Sequence, residues 1–255
     1  MRIASWNVNS LRVRLEHLER FVAEADPDVL CLQETKCADA RFPAEAVEAL
    51  GFPHQATWGE KTYNGVAILA KEPLEEVQRG FASGPPDPQP RLLGATVGGV
   101  RILDCYVPNG SPLGSSKFTY KLAWLSRLKR EVRALEGQPL LVCGDMNVAL
   151  EDRDVWDPFE ADGKVLFTHA ERDALRRVLA AGLVDPWRAT HPEATEFTWW
   201  DYRGAGFQRN HGLRIDYAFV SPDLAERVTE ARHWPETRRW KQPSDHCPVT
   251  VDLGD

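Results

Sequence analysis

Asp245 and His246 stand side by side in "PSDHCPV" (243–249), at the mouth of the apolar run "CPVTVDL". A carboxylate beside an imidazole can hold a metal, move a proton or close a hydrogen-bonded turn, and the pair alone does not choose among these. Further polar residues border apolar runs in the same way. Asn7 follows "RIASW", Glu34 follows "DVLCLQ", and Tyr106 lies at the end of "RILDCYVPN" with Asn109. Asp145 and Asn147 end "LLVCGDMN", and Asp216 opens "DYAFV". Carboxylates and amides around one imidazole form a donor set of hard oxygens, which selects Mg2+ or Mn2+ over zinc.

These groups meet only if the elements beneath them are arranged suitably. In a mixed sheet, a strand running up ends on the rim where a strand running down begins. Asn7, Glu34, Tyr106, Asp145 and Asn147 sit at strand ends, whereas Asp216 and the Asp245–His246 pair sit at strand beginnings. One edge of the fold can therefore collect them all. An EF-hand is excluded for "DMNVALEDRDVW", because Ala149 and Leu150 fall where an oxygen ligand and the glycine belong, and Trp156 where the bidentate Glu belongs.

Helical periodicity follows Ser10, a candidate N-cap, with Leu11, Leu15, Leu18, Phe21, Val22 and Ala25 on one face. Two more amphipathic stretches run over 117–135 and 171–181, the latter closed by Gly182. Eight apolar runs of strand length lie around them, and "TVGGVRI" (96–102) reads as a hairpin with a Gly-Gly turn. Strand runs come in clusters as well as alternating with helices, so the expected class is α/β with packed mixed sheets and helices outside. The Pro-rich "GPPDPQP" (84–90) reads as a loop between strands, and residues 1–255 as a single domain.

The chain carries a net charge of −7, which argues against indiscriminate binding to polyanions but leaves room for a local basic face. Its five cysteines form no C-x-x-C pair, and three lie inside apolar runs, which suits a reducing, cytoplasmic setting rather than a disulfide scaffold. No apolar leader or span of membrane length is read, so no membrane partner is expected.

Nine segments in order resemble the exonuclease III and AP endonuclease family, within the endonuclease/exonuclease/phosphatase superfamily. They are "SWNVNSLR", "PDVLCLQETK", "YNGVAILAK", "YVPNG", "GDMNV", "GLVDPWR", "FTWWDYR", "GLRIDYAFVS" and "PSDHCPV", reaching from near the first residue to the last strand. The resemblance implies a four-layer α/β sandwich, two packed mixed sheets flanked by helices. It implies a Mg2+-dependent DNA repair nuclease, with Mn2+ as a substitute, that acts as a monomer on double-stranded DNA. The reactions implied are cleavage 5′ to abasic sites, 3′–5′ exonuclease action and 3′-phosphodiesterase action, each leaving a 3′-hydroxyl.

Carried over by position, Glu34 matches the principal metal ligand, with Asn7 and Asp245 in the same metal site. Tyr106, Asp145, Asn147, Asp216 and His246 match the catalytic set. Trp199, Leu213 and Ile215 match positions at the pocket for a base-free sugar, and Arg214 lies between the last two. Asn109 and Arg203 join them as DNA contacts. Asn9 stands where some relatives carry Asp, and 111–116 does not align, so no contact is transferred there. Either Asp145 or His246, oriented by Asp216, could be the base that activates water. Local positive charge for the polyanion is expected from Arg203, Arg209, Arg214 and the "RRWK" run at 238–241, with Lys117 and Lys121 adding to it. Because Asp245 and His246 would alternate across a strand, a bulge or twist is expected between them.

Overall fold

A computed structural model describes residues 1–254. The chain opens with β1 (Arg2–Asn7), α1 (Leu15–Ala25), β2 (Val29–Gln33), α2 (Ala44–Ala49), β3 (His54–Trp58) and β4 (Val66–Ala70). It continues through β5 (Glu75–Arg79), β6 (Leu92–Val97), β7 (Val100–Tyr106), α3 (Ser116–Ala134) and β8 (Leu140–Asp145). Three helices follow, α4 (Pro158–Ala161), α5 (His169–Leu179) and α6 (Pro186–Thr190), and then β9 (Trp199–Trp200) and β10 (Gly212–Leu213). The chain closes with β11 (Asp216–Val220), α7 (Pro222–Ala225), β12 (Val228–His233) and β13 (Val249–Leu253).

One sheet has the order β12-β13-β1-β2-β4-β3 and the other β11-β8-β7-β6-β5, with β9 and β10 forming a separate ribbon. Both large sheets are mixed. β1 runs parallel to β2 but antiparallel to β13, and β8 runs parallel to β7 but antiparallel to β11. Side-chain alternation splits each central strand between two cores. Val29 and Cys31 of β2 face Leu141 and Cys143 of β8 in the core between the sheets. Leu30 and Leu32 pack outward with Leu18 and Phe21 of α1 and Val47 of α2. Leu140 and Val142 pack outward with Trp124, Leu125 and Leu128 of α3 and Leu175 and Val178 of α5. These are the four layers expected. Fully burying one such Leu or Phe stabilises by about 1.5–3 kcal/mol, so the strands read as near-continuous apolar runs because both faces are covered.

A polar tie crosses the middle layer. Gln33 Nε2 donates to Asp104 Oδ1 at 2.6 Å and to Ser5 Oγ at 3.0 Å, joining β2 to β7 across the sandwich. Burial drives the Asp104 carboxyl well above the ordinary carboxylate range.

The "TVGGVRI" hairpin forms as expected, with Val97 opposite Val100, and 84–90 connects β5 to β6. Ser10 precedes a 3-10 turn rather than α1, and its side chain makes no capping hydrogen bond. Its backbone N–H and that of Leu11 donate to the carbonyls of Glu34 and Thr35, and a short 3-10 turn (Leu11–Val13) precedes α1. Tying this loop to the end of β2 holds Ser10 at φ 86°, away from the capping conformation. The third helix begins at His169, ahead of the expected 171, because Thr168 and Glu171 form a reciprocal capping box. All five cysteines are free and buried. Among the described residues no helix is long and apolar enough to cross a membrane.

Candidate active site

The rim predicted from strand ends exists. Tyr106 at the end of β7, Asp145 at the end of β8 and Asp216 at the start of β11 form one row of neighbouring strands. Asn7 and Gln33, at the ends of β1 and β2, form the matching row of the other sheet. Glu34 leaves β2 at φ 51° and Asn147 follows Asp145 at φ 50°, both in the left-handed region, where short polar turns carry side chains off the strand axis. Gly144 admits the close approach of β7 and β8, since a Cβ there would lie 1.9 Å from the carbonyl oxygen of Cys105.

Glu34, Asp145 and His246 each offer a ligand atom within 4.8 Å of the others. Asn7 Nδ2 donates to Glu34 Oε1 and to Asp145 Oδ2, each at 2.9 Å. Lys36 Nζ lies 2.7 Å from Glu34 Oε2 and donates to Asn9 Oδ1 at 2.6 Å. Burial works against ionising Glu34, but Lys36 and Asn7 outweigh it and hold its carboxyl below the ordinary value. Two carboxylates converging on one amide and one ammonium make a site that a hard divalent cation fits, because the cation neutralises both.

His246 Nδ1 donates to Asp216 Oδ2 at 2.9 Å, and its Nε2 lies 3.7 Å from Asp145 Oδ2. Burial disfavours the imidazolium, yet Asp216 and Asp145 prevail and raise its pKa to about 10. Asp145 moves up as well, to about 7, chiefly through burial, with Asp216 and Glu34 adding and His246 opposing. Asn147 donates from its backbone to Asp145 Oδ1 at 2.9 Å and from Nδ2 to Oδ2 at 3.1 Å, fixing the carboxylate plane. Asn109 Nδ2 donates to Asn147 Oδ1 at 3.1 Å. Burial, then the Glu34 and Asp145 charges, push the Tyr106 phenol well above its usual pKa, so it stays a donor, with Arg91 over its ring at 4.6 Å.

Several expectations are corrected. Asp245 is not one of the three residues that converge within 4.8 Å; Asn9 Nδ2 and Trp199 Nε1 donate to its two oxygens at 2.8 and 3.0 Å. The segment 245–247 pairs with 198–200, through Trp200 N to Asp245 O and Cys247 N to Thr198 O, and the backbone bends at Asp245, which sends Asp245 and His246 to different partners. Arg214 is buried, held by Asp154 at 2.7 Å and Asp185 at 2.8 Å, and offers nothing to DNA. Arg203 is exposed but forms a two-point pair with Asp201, which offsets its charge. Lys121 is buried too.

Trp199 and Leu213 are half-buried neighbours across the β9–β10 ribbon, and Ile215 is buried. They share one cluster with Leu166, which is 8% exposed and adopts φ 78°. A cavity of about 770 Å3, lined by Trp200, Phe207 and Arg238 among others, shares none of these residues.

Four contributors escaped the sequence reading. Lys36 was visible two residues after Glu34 in "QETK", but its reach to Asn9 was not. Arg14 donates to Asn9 O and the Tyr202 hydroxyl to Pro243 O, bracing the loop that carries Asn9. Thr198 Oγ1 accepts from the backbone of Asp216 at 3.0 Å, a contact no local pattern announces.

The model of the endonuclease/exonuclease/phosphatase family matches residues 4–246. Exodeoxyribonuclease III of Haemophilus influenzae is 36% identical, over 99% of this chain and 100% of its own. A 3′ phosphatase from Neisseria, solved bound to a product DNA hairpin, superposes with a TM-score of 0.97 at 42% identity, covering 100% of both chains. An AP endonuclease from Archaeoglobus fulgidus gives 0.95 at 37% identity, covering 99% of each.

Proposed function

The chain belongs to the endonuclease/exonuclease/phosphatase family, and on that premise we propose that it is a Mg2+-dependent DNA repair nuclease acting on double-stranded DNA. The reactions are hydrolysis of the phosphodiester 5′ to an abasic site and removal of nucleotides or blocking groups from 3′ ends, leaving a 3′-hydroxyl. The observation that carries the reading is the convergence of Glu34, Asp145 and His246 within 4.8 Å, from three separate segments of chain.

Glu34 would hold the cation, with Asn7 setting its carboxylate through Nδ2 and Asp245 holding Asn9 beside them. When bound, Mg2+ neutralises charge on the phosphoryl group and the departing oxygen. The remaining chemistry falls to side chains already in contact. His246 is an imidazolium with Nδ1 committed to Asp216, so its Nε2 proton donates to a non-bridging phosphoryl oxygen. Tyr106 offers a further donor to that charge, while Asn147 spends its Nδ2 protons on Val107 O and Asp145 Oδ2 and holds the carboxylate in place. Asp145, raised to about 7 and clamped by Asn147, is left as the group that accepts the proton of the attacking water. This reading favours Asp145 over His246 as the base.

Within this chemistry, one observation favours 3′ ends over abasic-site incision. Leu166 is packed into the cluster of Ile215, Trp199 and Leu213, where a base-free sugar was expected to enter. Two duplexes test the proposal, one with an internal abasic analogue and one ending in a 3′-phosphate, each incubated with and without Mg2+. Metal-dependent release of 3′-hydroxyl products supports it, with the 3′-phosphate turned over faster. Turnover of soluble phosphoesters in preference to both duplexes would overturn it.

A further inference from the structure

Two charges deep in the second sheet's outer layer are not used by the chemistry above. Lys121 of α3 and Glu171 of α5 are both fully buried, with Nζ 2.5 Å from Oε1. The Lys121 ammonium spends its other two protons on backbone carbonyls, donating to Asn147 O at 2.6 Å and Asn109 O at 3.0 Å. Glu171 is equally committed. Its Oε1 also accepts from Leu166 N at 3.0 Å, and its Oε2 accepts from the backbone and hydroxyl of Thr168. Every donor and acceptor of the pair is thus matched, the condition under which buried charges are tolerated.

We propose that Lys121, braced by Glu171, is a positioning residue for the reaction: its ammonium sets Asn147 and Asn109 at the height from which Asn147 clamps Asp145. The inference rests on the nuclease reading above. Asn147 sits at φ 50°, in the left-handed region that Asn enters more readily than most residues, and its backbone N–H and side chain both bind Asp145. Without an acceptor-seeking group beneath it, the carbonyl of Asn147 loses the contact that fixes this turn. Gly110 is shaped to the same purpose: a Cβ there would lie 2.8 Å from Lys121 Cδ, so the "PNG" loop closes over the lysine stem only with glycine. The pair also ties the turn to Leu166, which links the catalytic carboxylate to the cluster around Trp199.

A helix-to-helix ion pair that served stability alone would not touch turnover in protein that remains folded. The test measures kcat and KM on the 3′-phosphate duplex at saturating Mg2+ for wild type, Lys121→Met, Lys121→Arg, Asn147→Ala and Lys121→Met with Asn147→Ala. Lys121→Met is expected to lower kcat about 10–100-fold with KM changed by no more than about 3-fold, since a small misplacement of a catalytic group costs rates of that order. Lys121→Arg, which keeps a donor, recovers part of the loss. The effect is non-additive with Asn147→Ala, because both act through one turn. Where Lys121→Met fails to fold, Lys121→Met with Glu171→Gln replaces it: both charges are gone, and Gln still accepts from Leu166 or Thr168. That double variant is expected to fold and stay slow. Wild-type kcat in either neutralised variant, or full additivity with Asn147→Ala, overturns the proposal while leaving the nuclease reading intact. A wild-type protein inactive on both duplexes removes the nuclease reading and this proposal with it.

Discussion

Asp216 accepts the Nδ1 proton of His246 at 2.9 Å while Asp145 waits 3.7 Å from the other ring nitrogen, so one imidazole is held between two buried carboxylates. That arrangement fixes the tautomer, the ring plane and the charge together. It also ties the titration of the site to the stability of the fold. His246 has a folded pKa of about 10, above the ordinary value of 6.5. Its protonated form therefore contributes stability that is complete below about 6.5 and is lost as pH rises through 10. Asp145, raised from 3.8 to about 7, adds a loss with the same sign at lower pH. Metal-free protein is expected to lose denaturant resistance between pH 6.5 and 10, and His246→Gln to lose less over the same interval. Equal slopes for the two proteins would show that the imidazole is not held charged.

Removing the carboxylate behind the ring is a separate matter. Asp216→Asn takes away the largest group that raises the imidazole, leaving burial to pull the pKa of His246 down, and it allows the wrong tautomer. A ring-proton NMR titration of metal-free protein should find the pKa lower than in wild type, and kcat should fall by about 10²–10⁴-fold. An unshifted titration curve would contradict the assignment.

Despite its burial, Lys36 and Asn7 hold Glu34 below its ordinary pKa while Asp145 is raised, which makes Glu34 the better anion of the two to meet a cation. Glu34→Gln is expected to raise the Mg2+ concentration needed for half-maximal rate by about 10-fold or more, the scale on which altered metal sites lose affinity. Calorimetric titration of Mg2+ into wild type and variant provides the check; equal affinities would remove Glu34 from the metal site.

Much of this was legible in the chain. The four layers follow from apolar runs wherever both sheet faces are covered, and the rim follows from polar residues that stop those runs, as Asp145 stops "LLVCG". What stayed hidden depends on partners distant in sequence. Arg214 reads as a DNA contact in "GLRID", but Asp154 and Asp185, 60 and 29 residues earlier, turn it inward. Lys121 reads as an addition to the basic face until α5 delivers Glu171 to it. That Trp199 of the β9–β10 ribbon donates to Asp245 is likewise unreadable from "PSDH" alone.

Arg214 now carries a stability prediction instead of a binding one. Arg214→Met leaves buried Asp154 with Arg188 alone and half-buried Asp185 without its cation, and breaking a buried pair costs at most about 3–5 kcal/mol. Chemical denaturation should report a loss of that order, while the salt dependence of DNA binding by the folded variant should match wild type. A shallower salt slope would return the residue to the DNA face.

Leu166 adopts φ 78°, a conformation that suits glycine and strains a leucine. Leu166→Gly should therefore cost little backbone energy and open space beside Trp199 and Ile215. Incision at an abasic analogue is expected to rise relative to 3′-phosphate removal in a competition between the two duplexes. An unchanged ratio would mean that Leu166 does not obstruct the sugar.

The most direct measurement is single-turnover cleavage of a 3′-labelled duplex by wild type and Asp145→Asn, in excess Mg2+ and in excess chelator. The account predicts rapid cleavage by wild type with metal, recovery when metal is restored after chelation, and at least about a 10²-fold loss in Asp145→Asn that added metal does not repair. Cleavage by wild type at full rate in chelator, or by Asp145→Asn at the wild-type rate, would contradict it.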